Sequence, residues 1–474
     1  MPEKSSGEIF GGKISRRAAL RNISLFGVGL PMVQIVGEAK PQAQMSESKP
    51  GGVMVTKPIF SVAERDRRWE AVRRTMAKPQ WNLDALLAPS NGDNAYPRYL
   101  TQIGGRGGSA DVILPREPAK PVFAFTGSGR NKSFWSKRLT AWTGGGKLVI
   151  YDGEGSKPVV EQLKSLGLNK AGTRIGVAKL TGSRFDPEGM VSATYLDNLK
   201  SALPGVLFLP VERWGSDSGP IDEPAMVKSV EEHDAIRRCV AAGEKAIETI
   251  VRAARSAAKQ QADIWFPTFT AMFAETGEDP TRLSISLDEA SNSTLGAPVD
   301  DPLKQGQIIS QEIDATVQGY RAQVNHSIFV GGPKTPGFNY YKAAMEVAIK
   351  TLLDSIAFIV PGKTTCGQLV DHYAATVEKL NAEDRSGVVL HSSGIGNLSR
   401  PRLGPTNSRR DSDIVLVPGM TFDFKPAIRM KRNVTEDVQR ENRIVQIGEH
   451  YLITDKGAVR LGKRELKPIT TEAV

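Results

Sequence analysis

Ile309-Ser310-Gln311-Glu312-Ile313-Asp314, His391-Ser392-Ser393-Gly394-Ile395-Gly396 and Pro418-Gly419-Met420-Thr421-Phe422-Asp423-Phe424-Lys425-Pro426 are the stretches whose reading decides the fold. The first reads as a strand. Side chains alternate across a strand, so Glu312 and Asp314 project to the same side. The second is a glycine-rich loop that follows His391, and the third is a Pro-Gly turn running into a further strand.

Outward from these, strands are expected around 308–313, 319–330, 387–391, 420–428 and 443–447. Pro361-Gly362-Lys363-Thr364-Thr365 leads into an amphipathic helix through Leu369, Tyr373, Val377 and Leu380. Ser229-Val230-Glu231-Glu232 is a capping-box sequence. It opens a long helix with Ile236, Val240, Ile247, Ile250, Val251 and Ala254 on one side. Farther upstream, Ser61-Val62-Ala63-Glu64 caps another helix, with Trp69, Val72 and Met76 at helical spacing. Apolar strands follow at 83–88, 122–125, 147–151 and 174–177, with a helix at 159–166 between them. Strands alternating with helices imply an α/β domain over residues 59–225 and a second α/β (α+β) domain over residues 226–474.

The chain is 474 residues long, enough for two domains with a core in each. Its net charge of +10 favours anionic surfaces or substrates. No zinc finger, RNP-like aromatic stretch or long basic tract accompanies that charge, so a nucleic-acid partner is not expected. Cys239 and Cys366 read as two small buried thiols, although pairing is open at this level. Ser15-Arg16-Arg17 before a short apolar run resembles a twin-arginine export signal over residues 1–45, followed by a linker at 46–58. The expected location is therefore periplasmic or secreted. That run is too short and too interrupted by Gly and Pro to span a membrane, and no other stretch could, so no membrane partner is expected.

The framework resembles the creatinase/aminopeptidase P, or pita-bread, family. The resemblance rests on Lys228 with Glu231 and Glu232 at a helix start, Gly306, Gly319-Tyr320, Phe329-Val330-Gly331 and Pro361-Gly362. Gly394-Ile395-Gly396, Pro418-Gly419-Met420 and Glu441-Asn442-Arg443-Ile444-Val445 complete it. It implies a creatinase-like N-terminal domain followed by a pita-bread domain. Peptidases of this family hold two divalent cations with two aspartates, a histidine and two glutamates. On this chain those positions fall on Glu312, Gln323, Ser393, Lys425 and Glu441. Lys425 opposes such a centre. At 4 Å two unit charges interact by about 4 kcal/mol even at an effective dielectric of about 20. No metal and no other cofactor is therefore expected, and Lys425 is expected to pair with Glu312, Asp314 or Glu441. Asp423 enters the ligand set only if the alignment slips by one or two residues.

The creatinase branch works without metal, but its catalytic histidine is missing from 291–298 and its glutamate near 325 is Asn325. What chemistry remains lies elsewhere. His391 is the leading general-base candidate, and His326, on the opposite strand face from Gln323 and Asn325, is the second. Lys425, Glu312, Asp314 and Glu441 complete the catalytic candidates; Arg400, Arg402, Gln323, Asn325 and Ser393 are candidates for binding substrate. His233, His372 and His450 read as ordinary helix or surface histidines. The expected function is a metal-independent hydrolase or lyase acting on a small substrate, an anionic one included. The alternatives are a non-catalytic peptide- or solute-binding protein and a divergent Xaa-Pro aminopeptidase or dipeptidase. The resemblance also implies a homodimer.

Overall fold

The computed structural model describes residues 60–90, 95–104, 108–127, 146–181, 188–211, 219–256, 258–288, 296–395, 400–406, 409–431 and 443–472. The leader, the linker and Glu441 lie outside these residues.

The N-terminal part begins with helix α1 (Val62–Met76), then strand β1 (Ala85–Ala88) and helix α2 (Ala95–Thr101). Strands β2 (Asp111–Pro115), β3 (Val122–Gly127) and β4 (Gly146–Tyr151) follow, then α3 (Ser156–Ser165), β5 (Arg174–Val177), α4 (Ala193–Ala202) and β6 (Leu207–Pro210). The sheet order is β4-β3-β2-β1-β5-β6. Strands β1, β2 and β3 pair antiparallel, while the β3–β4, β1–β5 and β5–β6 pairs are parallel. Ile175, Gly176 and Val177 of the parallel strand β5 are buried, whereas the edge strands β4 and β6 are half-buried or exposed.

Helix α5 (Asp222–Met226) connects to the 27-residue helix α6 (Val230–Ser256). The capping box at its start is formed: Ser229 N–H donates to Glu232 and Glu232 N–H to the Ser229 hydroxyl. At α1 only half of the expected box forms. The Ser61 hydroxyl accepts from Glu64 N–H, but Glu231 of α6, not Glu64, takes Ser61 N–H.

Helix α7 (Ala262–Thr276) leads to a twelve-stranded sheet. Its members are β7 (Arg282–Leu287), β8 (Ile308–Val317), β9 (Tyr320–His326), β10 (Ile328–Phe329), β11 (Ala382–Asp384), β12 (Leu390–Ser392) and β13 (Arg402–Leu403), with β14 (Thr421–Phe424), β15 (Ala427–Met430), β16 (Val445–Thr454), β17 (Gly457–Arg460) and β18 (Ile469–Thr470). The main path runs β13-β12-β14-β16-β9-β8-β10-β18. Helices α8 (Phe338–Ala357) and α9 (Cys366–Lys379) pack on one cluster of this core. Thr365 and Gln368 form the capping box of α9.

Helix α6 lies against one face of β8 and β9. A side chain at Gly243 would meet Val324 Cγ2 at 3.0 Å, so glycine lets the helix close onto the sheet. Ile313 and Val324 fill that contact. By strand alternation Glu312, Asp314, Gln323 and Asn325 must then face away from the helix.

Candidate active site

The register assembles the site. Asp314 stands opposite Gln323, Gly448 opposite Asn325, and His391, Asp423 and His450 form one row across β12, β14 and β16. Directly opposed residues share a face in an antiparallel sheet, so these side chains converge. The polar side chains among them are all buried.

Lys425 is the hub. Its Nζ donates to Glu312 Oε1 at 2.6 Å and to Gln323 Oε1 at 2.8 Å. Arg282, at the strand edge, reaches the other oxygen of Glu312 at 2.8 Å. Burial by itself would push the Glu312 carboxyl up; Lys425 and Arg282 outweigh it and hold the group down to about 2. The lysine thus takes Glu312 and not Asp314, which pairs with Arg321 at 2.8 Å. Burial still pushes the Asp314 carboxyl up, Arg321 opposing it.

His391 Nε2 lies 2.7 Å from Gln323 Oε1 and 3.3 Å from Asp423 Oδ2. Gln323 Oε1 already accepts from Lys425, so Nε2 is the donor in that pair; Nδ1 lies 3.2 Å from Ser392 O, which also only accepts. Burial, then Lys425, Arg402 and Arg321, push the imidazole well below its ordinary range. The ring toward the site is therefore a neutral hydrogen donor, where the sequence suggested a base. Asp423 is fully buried, and among the described residues neither of its oxygens has a hydrogen bond; burial drives its carboxyl well up.

Four sequence expectations need correction. His326 points to the helix side, with Nε2 at 2.9 Å from Lys467 O and Nδ1 accepting from Arg464, so it is no part of the cluster. His450 is no surface histidine. It is fully buried, 3.4 Å from the Ser393 hydroxyl, and pushed down to about 3 by burial, Lys228 and Arg321. Asp423 belongs to the cluster with no alignment slip. The final strand, expected to end near residue 447, runs on to Thr454 and brings Gly448 beside Lys425, while Glu449 turns to the other face and Arg464 at 2.5 Å. Burial raises Glu449 to about 7 despite that guanidinium.

Of the remaining candidates, Arg400 binds Asp411 and Arg402 pairs with His391 across the strands. Asn325 faces the cluster, and in its swapped amide orientation bonds Val324 O, Gln311 O and Gln446. Cys239 and Cys366 are free, buried thiols, as expected.

A side chain at Gly448 would meet Lys425 Cβ and Asn325 Nδ2 at 3.1 Å. Gly448→Ala is expected to lower stability by about 1–2 kcal/mol, read from the urea midpoint, because the buried neighbours must shift. An unchanged midpoint would show that the pocket wall yields freely.

These residues do not fit two divalent cations. Such ions need several ionised oxygen donors between them. Glu312 is already held at both oxygens by cations, Gln323 and Lys425 replace acids, and burial drives Asp423 toward its neutral form. Among the described residues no group of three or more His, Cys, Asp or Glu could hold a metal ion.

The architecture is that of the pita-bread proteins. Residues 227–455 match the model of metallopeptidase family M24. Residues 227–455 are thus a peptidase M24 domain, in line with the resemblance to the creatinase/aminopeptidase P proteins. It is 30% identical over 153 residues to a methionine aminopeptidase of Chlamydia pneumoniae, a match covering 32% of this chain and 49% of that one. The chain thus spans about half the length of that relative. An Xaa-Pro dipeptidase from Bacillus anthracis superposes with a TM-score of 0.65 at 17% identity, over 86% of this chain and 99% of that chain. The N-terminal domain of FACT complex subunit SPT16 from chickpea superposes with a TM-score of 0.60 at 12% identity, over 86% and 99% respectively.

Proposed function

We propose that this chain is a metal-independent enzyme of the M24 fold, a hydrolase or lyase acting on a small substrate at the Lys425 cluster. The carrying observation is the Lys425 ammonium, 2.6 Å from Glu312 and 2.8 Å from Gln323. It puts a fixed positive charge among positions that the family resemblance assigns to cation ligands. A buried ammonium can stabilise negative charge developing on a substrate atom, which is one thing a metal does in such a site. His391 Nε2, 2.7 Å from Gln323 Oε1, can add a neutral hydrogen-bond donor beside it. Export as a folded homodimer is part of the same proposal, resting on the twin-arginine-like leader and on the family resemblance.

The chickpea domain, named as part of a complex subunit, supports a second reading, a binding protein without catalysis. The peptidase names of the relatives support a third, a divergent aminopeptidase.

The test is metal content with activity. The purified full chain is assayed for Mn, Fe, Co and Zn, then offered Xaa-Pro dipeptides with and without added Mn²⁺. Metal far below one ion per chain, and no Mn²⁺-dependent hydrolysis, are the expected results. Stoichiometric metal with Mn²⁺-dependent hydrolysis would establish the third reading instead.

A further inference from the structure

A groove of about 760 Å³ runs between α6 and the C-terminal segment 463–469. No residue of the Lys425 cluster lines it. Its size suits a small molecule, whose sites typically measure about 300–1,000 Å³. The floor is apolar. Ile247 and Val251 stand one turn apart on α6, and Ile469 of the C-terminal segment joins them. Val251 and Ile469 are only partly buried, so the floor leaves apolar surface open.

The charges along the groove are unevenly matched. Its carboxylates are already engaged. Glu244 accepts the backbone N–H groups of Lys463 and Arg464 at 2.7 Å each. Glu248 pairs with Lys245 at 3.1 Å, and Glu465 with Lys467 at 2.6 Å. Arg252 and Arg255 differ, for among the described residues neither pairs with a carboxylate. Arg252 donates to the Thr249 hydroxyl at 3.2 Å, and Arg255 to Thr471 O at 2.9 Å and Thr470 O at 3.3 Å. Both are exposed. Three residues apart on a helix, they are neighbours on its surface and repel each other. The end of a helix carries only about half a negative charge, which does not balance two guanidinium groups. The bonds of Arg255 to Thr470 and Thr471 place this positive end of the groove beside Ile469.

We propose that the groove binds an amphiphilic anion, with its apolar chain on Ile247, Val251 and Ile469 and its head on Arg252 and Arg255. Guanidinium donors match a carboxylate or phosphate edge in pairs. The floor supplies affinity in proportion to the apolar area it covers, and the arginines select the sign of the head. The groove is separate from the Lys425 cluster, so the inference does not depend on the reaction proposed there.

The experiment uses the full chain. It is titrated calorimetrically with octanoate and with octyl phosphate, each below its micellar range. Octanol, octylammonium and inorganic phosphate are the controls, at matched ionic strength. One saturable site per chain is expected for at least one amphiphilic anion, with every control bound roughly tenfold more weakly or worse. The tighter of the two anions assigns the head as carboxylate or phosphate. Arg252→Gln/Arg255→Gln should weaken that binding by about tenfold or more. If the double variant does not fold, Arg252→Gln serves, since Arg252 is exposed and bonds only Thr249 among the described residues. A loss of about threefold or more is then expected. No saturable binding, several weak sites per chain, a control bound as tightly, or parent-like affinity in the folded variants overturns the proposal.

Discussion

Lys425→Met is expected to destabilise the fold by about 3 kcal/mol, measured by urea unfolding. Removing one partner of a buried pair strands the other charge, which typically costs about 3–5 kcal/mol. The low end applies because Arg282 still reaches Glu312 at 2.8 Å. The double variant Lys425→Met/Glu312→Met should recover most of the loss, since two apolar groups can replace a buried ion pair at little cost. A single variant within about 0.5 kcal/mol of the parent, or a double variant no better than the single, would refute the pairing.

The same pair sets an acid limb. The Glu312 carboxyl is held down to about 2 from an ordinary 4.5. A lowered folded value means that stability is fully present above 4.5 and is lost as pH falls from 4.5 toward 2. The amount is about 3 kcal/mol for such a shift. In Lys425→Met that limb should shrink, because the main source of the depression is gone. An acid limb identical in both proteins would assign it to other carboxylates.

Arg68→Met is the second large effect, expected to cost about 3 kcal/mol or more. Arg68 lies in α1 and is fully buried. It donates to Glu64 at 2.6 Å and to Tyr99 O at 3.1 Å, and packs over the rings of Phe60, Tyr99 and Tyr320. Glu232 of α6 is 4.0 Å away, so the residue ties the N-terminal helix to the start of the long helix and to the β8–β9 hairpin. Losing it leaves Glu64 and Glu232 buried with less positive charge. Arg67 keeps a contact to each, at 2.7 and 2.6 Å, which limits the cost. Hydrogen exchange localises the effect: protection of α1 should fall by far more than that of α9. Unchanged α1 protection, or a loss under about 1 kcal/mol, would show that Arg67 suffices.

The scaffold was legible because its signals are local. The capping box at Ser229, the N-cap hydroxyl of Ser61, the Pro-Gly turn at Pro418 and the alternation around Glu312 depend on neighbours within a few positions. The end of the chain was harder. Gly448-Glu449-His450 interrupts the apolar run that began at Val445, so the pattern alone ends the strand near 447. The interruption exists because the strand passes the site there. Gly448 and His450 face the polar cluster, and Glu449 faces Arg464. A histidine inside a strand beside another polar residue was the one available signal for His450, and nothing local separated it from a surface residue.

The sequence by itself determined the two-domain α/β architecture, the face shared by Glu312 and Asp314, and the presence of an ammonium where the family resemblance expects a carboxylate. These follow from periodicity and from residue identity. Only the tertiary structure decided that Lys425 takes Glu312 and leaves Asp314 to Arg321. It alone brought Asp423 and His450 into line with His391, and gave His326 its partners Lys467 and Arg464. The physical reason is register. Which residues stand opposite one another across β9, β16, β14 and β12 depends on pairings between distant parts of the chain, such as Asn325 with Gly448 and His391 with Asp423, and no local pattern encodes them.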